Sequence, residues 1–309
     1  MKYILNSDVI RPVRTRGLVP PKPASLDAID SGGTSLRVRG FIRLLAAVGM
    51  ALLSTITFAA PKQLLILGQK PDGHPPGTHE YMPGARIVKA LLATRQDLRP
   101  TIAQADEPWT NGPKLIGKAD GIVLFLNEGG RFIQDDPKRA KAFADFAKRG
   151  GGLVVYHWGM GARDAKLITP FLKLFGGCHG GPDRKYTVVN KAQFQVAAPK
   201  HPVMTGIQSF ELPFEEFYYK LKVPKSPKNW TPLVRVPIEG NVETVGWAWE
   251  RPDGGRSVGY SGLHFHVNWR HEQYQRLIAQ AVLWSLKQPV PKGGLKPNLK
   301  PEVLELRRR

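Results

Sequence analysis

Leu153-Val154-Val155-Tyr156-His157-Trp158-Gly159-Met160-Gly161 is the stretch that decides the fold. Its apolar half reads as a strand buried on both faces, because a half-exposed strand would alternate with polar residues. Where that strand meets Gly-x-Gly the chain must turn sharply, which puts His157 on a corner at the strand's end. Two upstream runs repeat the pattern, Gln63 to Gly68 (QLLILG) and Gly121 to Leu126 (GIVLFL). Helix-like stretches lie between the strands, Ala85 to Thr94 and Pro137 to Arg149. The second follows Asp135 and Asp136 and closes at Gly150 to Gly152. Strand, helix and strand in series predict an α/β fold of three layers, a mainly parallel sheet with helices on both faces.

Downstream of about Lys185 the predicted elements are shorter β pieces: Tyr186 to Val189, Pro232 to Pro237, Thr244 to Glu250 and Arg256 to Tyr260. Arg251-Pro252-Asp253-Gly254-Gly255 reads as the turn of an added β-hairpin. A last helix is expected over His271 to Leu286, with apolar residues at helical spacing that dock it on the sheet. From Gln288 onward Pro, Gly and Lys dominate, so residues 288–309 are expected to form a basic, mobile tail.

The amino end carries a different signal. Arg37, Arg39 and Arg43 precede an apolar run from Leu44 to Ala60, followed by Pro61. Residues 1–60 therefore read as an export leader, with cleavage expected after Ala59 and a periplasmic or secreted destination. The rival reading is a membrane anchor over residues 44–60, and the long stretch before the arginines suggests a true start downstream of Met1. The formal charge is +20, but residues 1–60 hold eight Lys/Arg against three Asp/Glu, and residues 287–309 hold seven against two. The remaining +10 is scattered and accompanies no nucleic-acid-binding motif, so no nucleic-acid partner is expected, and a membrane only through an uncleaved leader. A single cysteine, Cys178, excludes an internal disulfide and any multi-cysteine metal site.

The residues suited to chemistry fall in loops beside these strands. Gly68 to Tyr81 (GQKPDGHPPGTHEY) leads from the first strand to the first helix, and its His79 and Glu80 could position a substrate or bind a cation. The plainer reading is a Pro-rich turn with Glu80 as a helix N-terminal acid. Asn127-Glu128-Gly129-Gly130 follows the Gly121 strand. Glu128 there is a candidate acid or base, and the glycine pair could open backbone N–H groups to an oxyanion; a solvated loop carboxylate is the alternative. His157 at the elbow is a catalytic candidate with Trp158 beside it, or else a histidine that satisfies its own backbone neighbours. Glu215-Glu216-Phe217-Tyr218-Tyr219 combines acids with aromatics as sugar recognition does, or is a strand edge. His264 and His266 are read as extended, which would turn both imidazoles to one face as candidate ligands of a divalent metal such as zinc. His79, His157, Glu128 or Glu216 could complete that set. Gly176 to Gly181 (GGCHGG) is read as either a substrate-proximal loop or packing.

Taken together, DGHPPGTHEY, the NEGG turn, YHWGMG, GGCHGG, EEFYY, WAWERPDGGRSVGYSGLHFH and the Trp284 helix resemble the ThuA-like, trehalose-utilisation family over roughly residues 62–287. The resemblance implies a flavodoxin-like fold similar to class I glutamine amidotransferases, with one ThuA-like domain over residues 61–287. In the amidotransferases the elbow carries Cys, and a late strand carries His followed two residues on by Glu. Here the elbow is His157, His266 matches the late histidine, and Asn268 stands where the Glu would be. Glutaminase chemistry is therefore not expected. The resemblance implies a sugar-related role without defining the reaction; the leading expectation is an enzyme acting on a small-molecule carbohydrate, a keto- or otherwise modified disaccharide or glycoside, by hydrolysis, elimination or isomerisation. His157, His266 and Glu128 would be catalytic; His79, Glu80, Trp158, Glu216, Tyr218, His264 and Asn268 would contact the sugar; homo-oligomers are compatible with it. The rivals are a non-catalytic carbohydrate-binding accessory protein and a metal-dependent hydrolase of other substrates. Oxidoreduction is disfavoured because no Gly-x-Gly-x-x-Gly follows the first strand.

Overall fold

A computed structural model of the chain describes residues 60–225 and 228–306. The leader or anchor reading of the amino end lies outside the described residues. Among those described, no helix is long and apolar enough to cross a membrane.

Five strands form the parallel half of a nine-stranded sheet: β1 (Lys62–Gly68), β2 (Leu98–Gln104), β3 (Gly121–Leu124), β4 (Gly152–Tyr156) and β11 (Arg256–Tyr260), side by side in the order β2-β1-β3-β4-β11. Each of β1, β3 and β4 is buried on both faces, as its unbroken apolar sequence requires. Alternate residues serve two cores. Leu64, Ile66, Val123, Val154 and Tyr156 face α1 (Tyr81–Leu91) and α6 (Glu272–Ser285). Leu65, Leu67, Ile122, Leu124, Leu153 and Val155 face α2 (Gly112–Lys118), α3 (Gly129–Gln134), α4 (Pro137–Lys148) and α5 (Ile168–Phe175). The three layers expected from sequence are thus present. Asp136 caps α4 by accepting from the Lys138 and Arg139 amides at 2.8 and 3.4 Å, with Pro137 at the first helical position.

The other four strands, β7 (Lys185–Val196), β8 (Phe210–Tyr219), β9 (Trp230–Ile238) and β10 (Asn241–Glu250), extend the sheet antiparallel in the order β11-β10-β9-β7-β8. The Arg251–Gly255 turn joins β10 to β11 as predicted, and the buried Arg251 guanidinium ties it to Gly151 O at 2.7 Å. β7 meets β9 only at Gln195 and Val196, whereas it pairs with β8 over most of its length. The β7–β8 ribbon is therefore anchored at one end, and its other end reaches the loops at the carboxyl edge of the parallel strands. A short pair, β5 (Gly161–Ala162) and β6 (His179–Gly180), lies beside that edge.

Several expectations need correction. Helix α1 begins at Tyr81 rather than Ala85, because Pro83 falls in the first turn, where a missing N–H costs nothing. Strand β2 gave no sequence signal: it is an edge strand with an alternating, half-exposed pattern and a proline, Pro100. The expected mobile tail instead packs down as far as residue 306. Leu295 is buried and donates its amide to Gln280 Oε1 at 2.7 Å, while Leu299, Val303 and Leu304 of the turn α7 (Pro301–Leu304) lie against the core. Four apolar side chains dispersed among lysines and prolines suffice to hold the segment, although average composition conceals them.

Candidate metal centre and its cleft

Four loops leave the carboxyl ends of β1, β3, β4 and β11, and each contains a non-glycine residue forced into the left-handed region: His79 (φ 50°), Glu128 (φ 41°), His157 (φ 46°) and Leu263 (φ 80°). Such backbone costs on the order of 1–3 kcal/mol apiece and persists where the surroundings impose it, characteristically at functional sites. The elbow also needs close approach: a Cβ on Gly129 would lie 1.9 Å from Gly159 O. Gly129 and Gly130 are buried against residues 159–162, so the pair serves packing rather than an oxyanion hole. The β1 loop pairs with the β11 loop through His79 N–H to His264 O (3.1 Å) and His266 N–H to Gly77 O (2.8 Å). That pairing places His79 beside His264.

Three imidazoles converge. His157 Nε2 lies 3.0 Å from His79 Nε2 and 3.1 Å from His264 Nδ1, and Glu216 Oε1 lies 3.7 and 3.4 Å from those His157 and His264 nitrogens. His157 Nδ1 is 2.8 Å from the Ser261 carbonyl, which can only accept, so this nitrogen carries the proton and Nε2 is a lone pair. His79 Nδ1 likewise faces the Asp72 carboxylate at 2.9 Å, which leaves His79 Nε2 unprotonated. Two lone pairs thus face each other at 3.0 Å, an arrangement that a cation between them would relieve; the Tyr218 hydroxyl, 3.0 Å from His157 Nε2, can meet only one of the two. Donors around a tetrahedral zinc, with bonds of ~2.05 Å, stand about 3.3 Å apart. The four distances above, 3.0 to 3.7 Å, fall around that spacing, and all four donors lie within 4.8 Å of one another.

The electrostatics agree. Burial holds His157 well below the ordinary histidine range, reinforced by His79 and His264; burial likewise lowers His79 against the pull of Asp72, and lowers His264 to about 3. Neutral imidazole is the form that ligates metal. Burial, then the Glu215 charge, pushes Glu216 up to about 7. Asp72 is the outer partner. Burial alone would raise it, but hydrogen bonds from His79, from the Tyr81 hydroxyl at 2.7 Å and from His74 hold it well below the carboxylate range. A carboxylate orienting a histidine from behind is the usual support of a ligating imidazole.

The cleft in front of these donors, about 140 Å³, is lined by His74, His79, Trp158, His179, Glu216 and Tyr218, with Arg163, Arg184 and Tyr186 at its walls. Tyr218 stacks between His157 (4.5 Å) and His179 (4.0 Å), and its hydroxyl lies 3.0 Å from His157 Nε2. The GGCHGG segment divides its work: His179 lines the cleft, while Cys178 is buried in the core with its backbone paired to Lys222.

The structure brings together His79, His157, His264, Glu216, Trp158 and Tyr218 from the sequence-derived set. It does not bring His266, Asn268, Glu80 or Glu128 to the donors. Beyond Tyr260 the chain is irregular, so the period-two argument for His264 and His266 fails. His266 opens a short 3-10 helix and donates from Nε2 to Leu304 O at 2.9 Å, away from the cluster. Asn268 donates to Phe214 O and Glu215 Oε2 at 2.8 and 3.1 Å, a structural role. Glu80 accepts from the Gly77 amide at 2.9 Å within its own loop. Glu128 is buried and engages Arg163 through its amide and guanidinium, both at 2.8 Å.

Sequence reasoning missed Asp72, Arg163, Arg184 and the true part played by Glu215. The Glu215 carboxylate is fully buried and accepts from the amides of Leu263, His264 and Phe265 (3.2, 3.2 and 3.4 Å) and from Tyr274 Oη at 2.7 Å. It does for the His264 loop what a neighbouring strand would otherwise do. The adjacent pair Glu215-Glu216 was the only signal, since successive strand residues face opposite ways and one of the two had to point inward.

The family model for ThuA, described as trehalose utilisation, matches residues 73–285. Among solved structures the chain is similar in fold to a ThuA-like protein from Bacteroides uniformis, with a TM-score of 0.55 and 16% identity over 76% of this chain and 96% of that one. The glutaminase domain of Trypanosoma brucei CTPS, solved with bound acivicin, gives a TM-score of 0.41 and 8% identity over 76% of this chain and 100% of that domain. No curated protein matches the chain.

Proposed function

The chain belongs to the ThuA family, and we propose that it is a carbohydrate-active enzyme that works through a divalent metal, zinc, held by His79, His157, His264 and Glu216. The family's description as trehalose utilisation supports a carbohydrate-related role. The metal rests on one observation, the facing lone pairs of His79 Nε2 and His157 Nε2 at 3.0 Å with two further donors around them.

When bound, the metal supplies Lewis-acid polarisation of a substrate carbonyl or glycosidic oxygen. Asp72 and the Ser261 carbonyl keep His79 and His157 in the ligating tautomer. The Tyr218 hydroxyl, held among the donors by stacking on both sides, is placed to hydrogen-bond a substrate oxygen. Trp158 and the exposed Tyr186 offer ring faces to sugar C–H groups. These groups suit hydrolysis, elimination or isomerisation of a keto- or otherwise modified disaccharide or glycoside, in which a carbonyl acidifies the neighbouring C–H. Glutamine hydrolysis is not part of the reading: the elbow carries imidazole, and the one thiol, Cys178, is buried in the core and pushed up to about 12. Export belongs to the same reading, supported by Arg37, Arg39 and Arg43 before the Leu44 to Ala60 run, and sequencing the amino end of the protein recovered from the producing cells tests it.

Elemental mass spectrometry of the dialysed protein tests the metal. Near-stoichiometric zinc in the wild type, lost in His157→Ala and His264→Ala, is the expected result. A wild type that neither holds nor takes up a divalent metal overturns the reading.

A further inference from the structure

Two guanidinium groups stand at the wall of the cleft, and neither is needed to build the donor set. Arg163 is steered by Glu128, which accepts from its amide and from Nη1, and its guanidinium lies over the Trp158 ring at 4.9 Å. Its Nε and Nη2 have no hydrogen-bond partner among the described residues. It lines the same cleft as Tyr218 and Glu216. Arg184 donates from Nη1 to Gly181 O at 3.0 Å and has no carboxylate within ion-pair distance among the described residues. Its charge reaches His179, the ring stacked on Tyr218. The cleft's own carboxylate, Glu216, belongs to the donor set. Glu128 offsets the charge of Arg163, but no carboxylate among the described residues pairs with Arg184, so the open side of the cleft keeps a positive charge beside the aromatic faces of Trp158 and Tyr186 with or without a cation at the donors.

We infer that this cleft takes a carbohydrate bearing a carboxylate, a uronate or aldonate unit, whose acid group sits against Arg184 and the free edge of Arg163 while a ring or chain oxygen faces the metal. A planar guanidinium with an unused edge matches a carboxylate in two parallel hydrogen bonds, and a neutral hydroxyl cannot replace that pairing. Glu128 is then a positioning residue, since it fixes the rotamer of Arg163 and touches no substrate. The inference rests on the metal reading for the orientation of the substrate, but not for the anion contact.

Titration calorimetry with D-glucuronate and D-gluconate, against D-glucose as the neutral match, tests it on zinc-loaded and chelator-stripped full-length protein. At least one of the acids binds at millimolar concentration, more tightly than glucose, and Arg184→Gln weakens it about 10- to 100-fold while leaving zinc content unchanged. Arg184→Lys, which keeps the charge but not the parallel pair of donors, recovers part of the loss, and Glu128→Gln weakens acid binding without altering that of glucose. Acid binding that depends on Arg184 in a protein that takes up no zinc when it is offered sinks the metal reading and leaves the anion subsite standing. A zinc-loaded protein that binds both acids no better than glucose, or an Arg184→Gln variant with unchanged acid affinity, overturns the subsite and leaves the metal reading intact.

Discussion

His264 and His266 stand two residues apart in one loop and belong to different regions of the molecule. Around His264 every nearby polar group is turned inward: His157, Glu216 and, through the backbone, Glu215 and His79. Around His266 the chain is solving a structural problem, because its imidazole closes on the Leu304 carbonyl and helps hold the carboxyl-terminal segment against the domain. The same side chain, buried to a similar degree, joins a cluster of possible metal donors in one place and fastens the chain in the other. The difference lies in the partners. The nitrogens around His264 face one another and a carboxylate, a set of donors that a cation would join, whereas an N–H aimed at a carbonyl is complete.

The sharpest way to break this contrast is to exchange the losses. His264→Ala should remove bound zinc and cut turnover at least about 100-fold with modest loss of stability, whereas His266→Ala should keep the zinc; metal analysis and kinetics on both variants decide it. Equal zinc in both would dissolve the distinction. Next in size is Glu215→Gln, which replaces an acceptor-only group serving the Leu263, His264 and Phe265 amides. It should cost about 2–3 kcal/mol in urea unfolding and weaken zinc binding as the His264 loop relaxes. Asp72→Asn keeps the shape but loses the charge behind His79, and should weaken zinc about 10- to 100-fold in competition with a chelator, while also lowering the unfolding midpoint of the metal-free protein at neutral pH, since the hydrogen-bonded carboxylate is favoured in the fold. For His266→Ala itself the expected loss is about 1 kcal/mol, with earlier proteolysis of residues 288–306 as its signature.

A gentler probe is pH on the metal-free protein. His179 and His201 are neutral when folded, lowered by burial to about 3 and about 4, whereas both bind protons near pH 6.5 in the unfolded chain. The unfolded state therefore takes up more protons below pH 6.5. Their contribution to stability is fully present above that value and is lost as the pH falls toward 4 and then 3. Denaturant midpoints that stay flat from pH 7 to 4 would contradict the burial of these rings. Substituting His201, which packs on Trp284 far from the donors, should remove its share without touching zinc.

Much of the parallel half was legible because its signals are local. Buried runs marked β1, β3 and β4, Asp136-Pro137 marked the start of α4, and Arg251 to Gly255 marked the hairpin, each from contacts or dihedral limits within a few residues. The elbow at His157 was legible for the same reason: a buried strand running into Gly-x-Gly has few ways to turn. Strand β2 and the docked tail were not, since a half-exposed edge strand and four dispersed apolar side chains leave no period to detect.

By itself, then, the sequence determined the layers, the edge at which chemistry would sit, and the family. The tertiary structure alone decided which histidines meet. That choice depends on strand order, which sets the ends of β1, β4 and β11 near one another, and on a ribbon anchored to the sheet by two residues, whose far end carries Glu215, Glu216 and Tyr218 to loops some 50 positions away along the chain. Glu215 then gathers three consecutive amides and breaks the extended course that would have put His266 beside His264. Side-chain alternation is a local rule, and it yields when a buried carboxylate offers the backbone a better set of hydrogen bonds than a neighbouring strand can.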